Sequence, residues 1–135
     1  MHKVLDYPDC DGPDPIVRMR VYQLALKVRS ASAEDAEIVR LNPITEKIAG
    51  QLYTAAGSIS ANIVEGYSRS SGRDRPRIFE YALGSARESI EWYQASNHVL
   101  TAEVLDDRCP VLHEIVRMLL AIIPRERERI VRPSK

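Results

Sequence analysis

Cysteine pairs, Glu-x-x-His spacings and long apolar runs are all missing from this chain, and each absence removes a class of function. Cys10 and Cys109 are its only cysteines, and they are too far apart in sequence to read as a zinc or redox Cys-x-x-Cys pair. Two free thiols are expected. The longest apolar stretch, residues 116–124, is short and carries Arg117, well below the roughly 20 apolar residues that span a bilayer. Residues 1–15 hold one Lys and four Asp with no apolar core, which does not fit a signal peptide, so a cytoplasmic protein is expected. His98 and His113 never fall three residues after a glutamate, which removes the usual dimetal signature of helical bundles; no metal and no cofactor are expected. The serines show no spacing that ties them to a histidine as activated nucleophiles. A formal net charge of zero argues against wholesale nucleic-acid binding.

What is present is helical periodicity. Residues 1–14, with Pro8, Gly12, Pro13 and Asp6, Asp9, Asp11 and Asp14, read as an acidic arm. Asp14 then caps a first helix over residues 15–41, where Val17, Val21, Leu24, Val28, Ala31, Ile38 and Leu41 form a seam; Ser30, Ser32 and Asp35 are the places where that helix would break. Asn42 and Pro43 end it. Ile44, Ile48, Leu52, Ala55, Ile59 and Ile63 mark a second helix over residues 44–69, and Gly72 terminates it. A third helix, residues 74–101, is capped by Asp74 and buries Phe79, Leu83, Ala86, Ile90, Tyr93 and Leu100. The fourth, residues 107–123, starts at Asp106 or Asp107 and either stops at Pro124 or extends to residue 131, leaving a short tail at 132–135. No strand pattern or internal repeat competes. The expected fold is all-α, an antiparallel up-down-up-down four-helix bundle.

Three polar constellations stand out. Ser58, Asn62, Glu65 and Arg69 share one side of the second helix, among the small residues Ala55, Ala56, Gly57, Ala61 and Gly66; Ala82, Gly84, Ser85, Ala86 and Ser89 repeat the small-residue pattern on the third. Glycine costs roughly 1 kcal/mol relative to alanine inside a helix, so close packing is the expected compensation. Asn62, Glu65, Gly66, Gly84, Ser85, Arg87 and Glu88 are therefore assigned to helix packing or a subunit interface, with Asn62, Glu65, Arg87 and Glu88 able to pair across it. Trp92, on a neighbouring stripe, serves either the core or an interface. Finally, Arg69, Arg73, Arg75 and Arg77 around the second turn, and Arg125, Arg127, Arg129, Arg132 and Lys135 at the C-terminus, come to one end of an up-down bundle as a basic rim suited to phosphates.

The segments SISANIVEGYSRSSG and YALGSARES resemble the four-helix-bundle family of proteins encoded in intervening sequences of bacterial 23S ribosomal RNA genes. The resemblance is carried by Ser58, Ile59, Ala61, Asn62, Ile63, Glu65 and Gly66, by Ala82, Gly84, Ser85 and Glu88, and by Tyr22 and Gln23; it spans about residues 14–123. It implies a non-enzymatic bundle that assembles into a homopentameric ring. A related branch, the accessory protein of diversity-generating retroelements, implies contact with RNA or DNA and with a nucleic-acid-associated protein, and no membrane. A scaffold of this kind is the expected function. Two rival readings are a protein-interaction module using Trp92 and the tail without nucleic acid, and an enzyme with Glu65 and Glu88 as a carboxylate pair.

Overall fold

A computed structural model describes residues 14–131; of the acidic arm only Asp14 is among them, and Cys10, Arg132 and Lys135 lie outside them. A 3-10 turn at Pro15–Arg18 is followed by α1 (Arg20–Val39), α2 (Glu46–Ser68), α3 (Asp74–Ala95) and α4 (Ala102–Val131), with no strand among the described residues. Each helix packs on two neighbours, α1 on α2 and α4, α3 on α2 and α4, which is the up-down-up-down bundle. The periodic apolar positions make the core: Val21 and Val28 on α1, Leu52, Ile59 and Ile63 on α2, Phe79 and Tyr93 on α3, Leu112, Ile115 and Leu119 on α4 are all buried. Each fully buried aliphatic side chain contributes about 1.5–3 kcal/mol.

The helix ends differ from the sequence reading in instructive ways. Asp14 does cap, its Oδ1 accepting from the Ile16 amide at 3.0 Å, but only the 3-10 turn; Met19 is extended, and α1 begins afresh at Arg20. Ser32 and Asp35 do not interrupt α1, because both side chains are satisfied in the interior. Between α1 and α2 the Asn42 Oδ1 accepts from the Ile44 amide, and the buried Thr45 hydroxyl donates to the Val39 carbonyl at 2.7 Å. That tight closure leaves Leu41 and Ile44 outside at 73% and 79% exposure, and Ile38, still within α1, is 47% exposed because the buried face of the helix runs through Val28, Ser32, Asp35 and Val39; these three leave the seam the periodicity assigned them.

At the other turns, α2 ends at Ser68, before Gly72, and α3 starts without a side-chain cap, its Asp74 bonding Arg77 instead. α3 stops at Ala95, where Ser96 donates to the Trp92 carbonyl and its own carbonyl accepts from Val99 and Leu100. Thr101 then accepts from the Val104 amide, so α4 starts at Ala102 and Asp106 and Asp107 sit inside it. Pro124 is accommodated within α4, which continues to Val131. No helix among the described residues is long and apolar enough to cross a membrane.

Candidate functional site

Antiparallel topology brings the end of α2, the start of α3 and the end of α4 together, and long-range contacts document it: Arg75 Nε lies 2.9 Å from Glu126 Oε1, and Arg127 pairs with Glu80. Arg69, Arg73, Arg77, Arg125, Arg127 and Arg129 are exposed there. Arg18 and Arg20, at the start of α1, are exposed at the same end, although nothing in the sequence around them groups them with the other arginines. Much of this charge is answered locally. Arg69 pairs with Glu65, Arg77 with Asp74, Arg127 with Glu80 and Arg129 with Glu126. Asp74 and then Tyr81, as hydrogen-bond partners, push the Arg77 pKa up. Among the described residues the Arg73 and Arg125 side chains carry no ion pair, which leaves them the cations readiest for an external anion.

Arg75 is a different object. Its side chain is 17% exposed and its guanidinium donates to Glu126, to the Tyr67 carbonyl at 2.8 Å and to the Arg69 carbonyl at 3.2 Å. It also lies over the rings of Tyr67 and Phe79, 5.7 and 5.9 Å from their centroids. With the Tyr67 and Arg69 carbonyls at the end of α2, a largely buried carboxylate and two aromatic faces engaged, Arg75 ties the end of α2 to the end of α4.

The small residues Ala55 and Ala56 on α2 and Ala82, Ala86 and Ser89 on α3 are buried, as expected, but of the glycines in these helices only Gly66 is in close contact. A Cβ on Gly66 would come within 2.9 Å of the Phe79 ring, so this glycine admits α3 against α2. Gly50, Gly57 and Gly84 have nothing within 4 Å of such a Cβ, and no contact inside the chain explains them. Gly66→Ala is expected to lose about 1–3 kcal/mol to overpacking, offset in part by helix propensity, whereas Gly57→Ala and Gly84→Ala gain about 0.5–1 kcal/mol in the isolated chain. Urea titration of the three variants checks this; equal shifts at all three would refute the packing role of Gly66. The cross-helix pairing expected of Asn62, Glu65, Arg87 and Glu88 is not formed. Asn62 donates to Ser58 and Glu65 pairs with Arg69, both within α2, while Arg87 and Glu88 are exposed with no hydrogen bond or ion pair to α2. Ser85 accepts through its carbonyl from the Ser89 hydroxyl. Trp92 packs half-buried against the core, its buried indole N–H without an acceptor.

At the opposite end of the bundle lies a cluster the sequence did not announce. Asp35 on α1 is 2% exposed and accepts from both Nε and NH2 of Arg108 on α4, at 2.8 and 3.0 Å, and from the Tyr93 hydroxyl of α3 at 2.5 Å. Arg108 also reaches Asp107. The hydrogen bond from Arg108 to Asp35 raises the arginine's pKa, so the cation is permanent. Burial first, and then the bond to Asp35, push the Tyr93 phenol well above its ordinary value of about 10. Because the neutral phenol is favoured only in the folded chain, the stability is complete below about pH 10 and falls above it by up to about 1.4 kcal/mol per pH unit, as the unfolded phenol ionises. Tyr93→Phe is therefore expected to show a flatter alkaline limb than the parent in urea titrations above pH 10; parallel limbs would assign the loss to another group.

Glu65 is held at the surface by Arg69, and Glu88 is exposed. Among the described residues no group of three or more His, Cys, Asp or Glu is placed to hold a metal ion. Burial and then Asp106 raise the Cys109 thiol pKa, which keeps it protonated and a poor nucleophile.

Comparison with known proteins completes the site. The profile of the family described as 23S rRNA-intervening sequence protein matches residues 18–121. No curated protein matches the chain. Among solved structures, a protein of unknown function from the S23 ribosomal protein family of Bacteroides thetaiotaomicron VPI-5482 superposes with a TM-score of 0.71, covering 76% of this chain and 97% of that one at 22% identity; a likeness at that identity is one of fold.

Proposed function

This chain belongs to the 23S rRNA-intervening sequence protein family, and from that premise we propose that it is a scaffold without catalysis of its own, which assembles with copies of itself and meets RNA or a ribonucleoprotein at its arginine-rich end. The ring is pentameric in the form the resemblance implies. One observation carries the assembly: Gly50, Gly57 and Gly84 each cost the helix roughly 1 kcal/mol, and nothing among the described residues uses the space they leave. A second copy is what such openings accommodate.

The RNA half of the proposal is supported by Arg18, Arg20, Arg73 and Arg125, exposed at one end and in no ion pair with a described neighbour. A single bundle offers only this modest surplus of positive charge. Repetition around a ring multiplies the field, and phosphate binding of that origin weakens steeply with salt. Native mass spectrometry of tag-free protein, followed by RNA titration at several salt concentrations, tests both halves. A multi-chain mass with salt-sensitive RNA binding is expected; a single-chain mass overturns the assembly, and affinity insensitive to salt overturns the phosphate contact.

A further inference from the structure

Among the described residues, the most exposed large apolar side chains lie away from the arginine-rich end, at the α1–α2 turn. Ile38, Leu41, Ile44 and Tyr53 are exposed at 47%, 73%, 79% and 53%. Beside this tip, α1 and α2 part to leave a groove of about 380 Å³, floored by Ala33, Ala36, Ala49 and Gly50 and edged by Tyr53 and by Glu37 and Arg40. A cavity of about 150 Å³ already holds a benzene, so the groove has room for the ends of two aliphatic side chains.

We infer that the tip of one copy, Leu41 and Ile44, seats in the α1–α2 groove of the next copy. The inference rests on the assembly reading above and names its surface. Charge selects the occupant. Residues 48–64 of α2 contain no charged side chain although Gly50, Tyr53, Thr54, Ala61 and Val64 are exposed, and a helix face turned to water normally carries charge. Glu37 and Arg40 pair with each other at 3.1 Å, so the groove's edge is neutral. A polyanion or an anionic bilayer finds no surplus cation here, whereas an uncharged apolar protein surface finds its match, and the chain itself displays one within the same patch. Tip and groove lie side by side, so each copy offers one of each. A contact of this head-to-tail kind propagates from copy to copy and closes into a ring when the rotation between copies closes.

The test separates the two halves of the joint. Leu41→Asp with Ile44→Asp removes the tip at two exposed positions, and Gly50→Arg blocks the groove at a site where a Cβ meets nothing, so both variants keep the fold, as circular dichroism would verify. Each alone is expected to run as a single chain in native mass spectrometry. Mixed in equal amounts they are expected to give a two-chain species and nothing larger, since the tipless copy retains a groove and the blocked copy retains a tip. Variants that keep the parent's mass, or a mixture that stays single-chain, overturn this joint while leaving assembly itself standing. A parent protein that is itself a single chain overturns both.

Discussion

Asp35→Ala is expected to lower the unfolding free energy by about 3 kcal/mol, the low end of the range for breaking a buried ion pair from one side. The carboxylate is the common acceptor of Arg108 and Tyr93, and its loss leaves a guanidinium at 20% exposure and a buried phenol without their partner. The low end is appropriate because Arg108 keeps Asp107 and some water. Asp35→Leu combined with Arg108→Met and Tyr93→Phe should recover most of the loss, since replacing the charges and the hydroxyl that bonds them with apolar groups removes the desolvation cost along with the attraction. Urea titrations of the single and triple variants measure this directly. A loss below about 0.5 kcal/mol for Asp35→Ala would place the cluster among ordinary surface pairs.

Arg75→Met is expected to cost about 3 kcal/mol of stability, while Arg73→Gln and Arg125→Gln stay within about 0.5 kcal/mol of the parent. Arg75 loses Glu126, itself only 13% exposed, together with two carbonyl partners and two aromatic faces; Arg73 and Arg125 lose no ion pair. For RNA the order reverses. Each of Arg73 and Arg125 is expected to reduce the slope of log affinity against log salt by about 1 per phosphate contact, and Arg75 to leave it unchanged once folding is allowed for. Fluorescence anisotropy across a salt series, beside urea titration, gives both readouts on the same variants. A slope unaltered by Arg73→Gln and Arg125→Gln would remove these two residues from the phosphate contact.

Sequence periodicity sufficed for the bundle because apolar steps of three and four survive in every helix core: Val21 to Val28, Leu52 to Ile63, Leu112 to Leu119 are buried where the pattern puts them. It failed at Leu41 and Ile44, which belong to a tight turn held by Asn42 and Thr45, and at Ile38, which lies off the buried face formed by Val28, Ser32, Asp35 and Val39. It failed at Asp35 for the opposite reason. A carboxylate in an apolar seam reads as an interruption unless its partner is known, and that partner, Arg108, is 73 residues away. Arg75 was grouped with its neighbours by charge alone, and only the aromatic and carbonyl environment around it distinguishes a brace from a surface cation. The uncharged outer face of α2 was legible all along as residues 48–64, but only once the core side of the helix was known did it mean exposure without charge.

The order in which helices adjoin also sets a clock. Three of the four helix pairings join segments adjacent in the chain, so their contacts form at little cost in loop closure and folding is expected to be fast. The contact between α1 and α4 is the exception, smaller than the others and closed across most of the chain length by Asp35 and Arg108. Formed last, it contributes little to the folding barrier and much to the unfolding one, so substitutions there are expected to steepen the rate of opening while leaving the folding limb of a chevron almost in place. How long a folded molecule persists before it opens is thus set by the joint between its first and last helices.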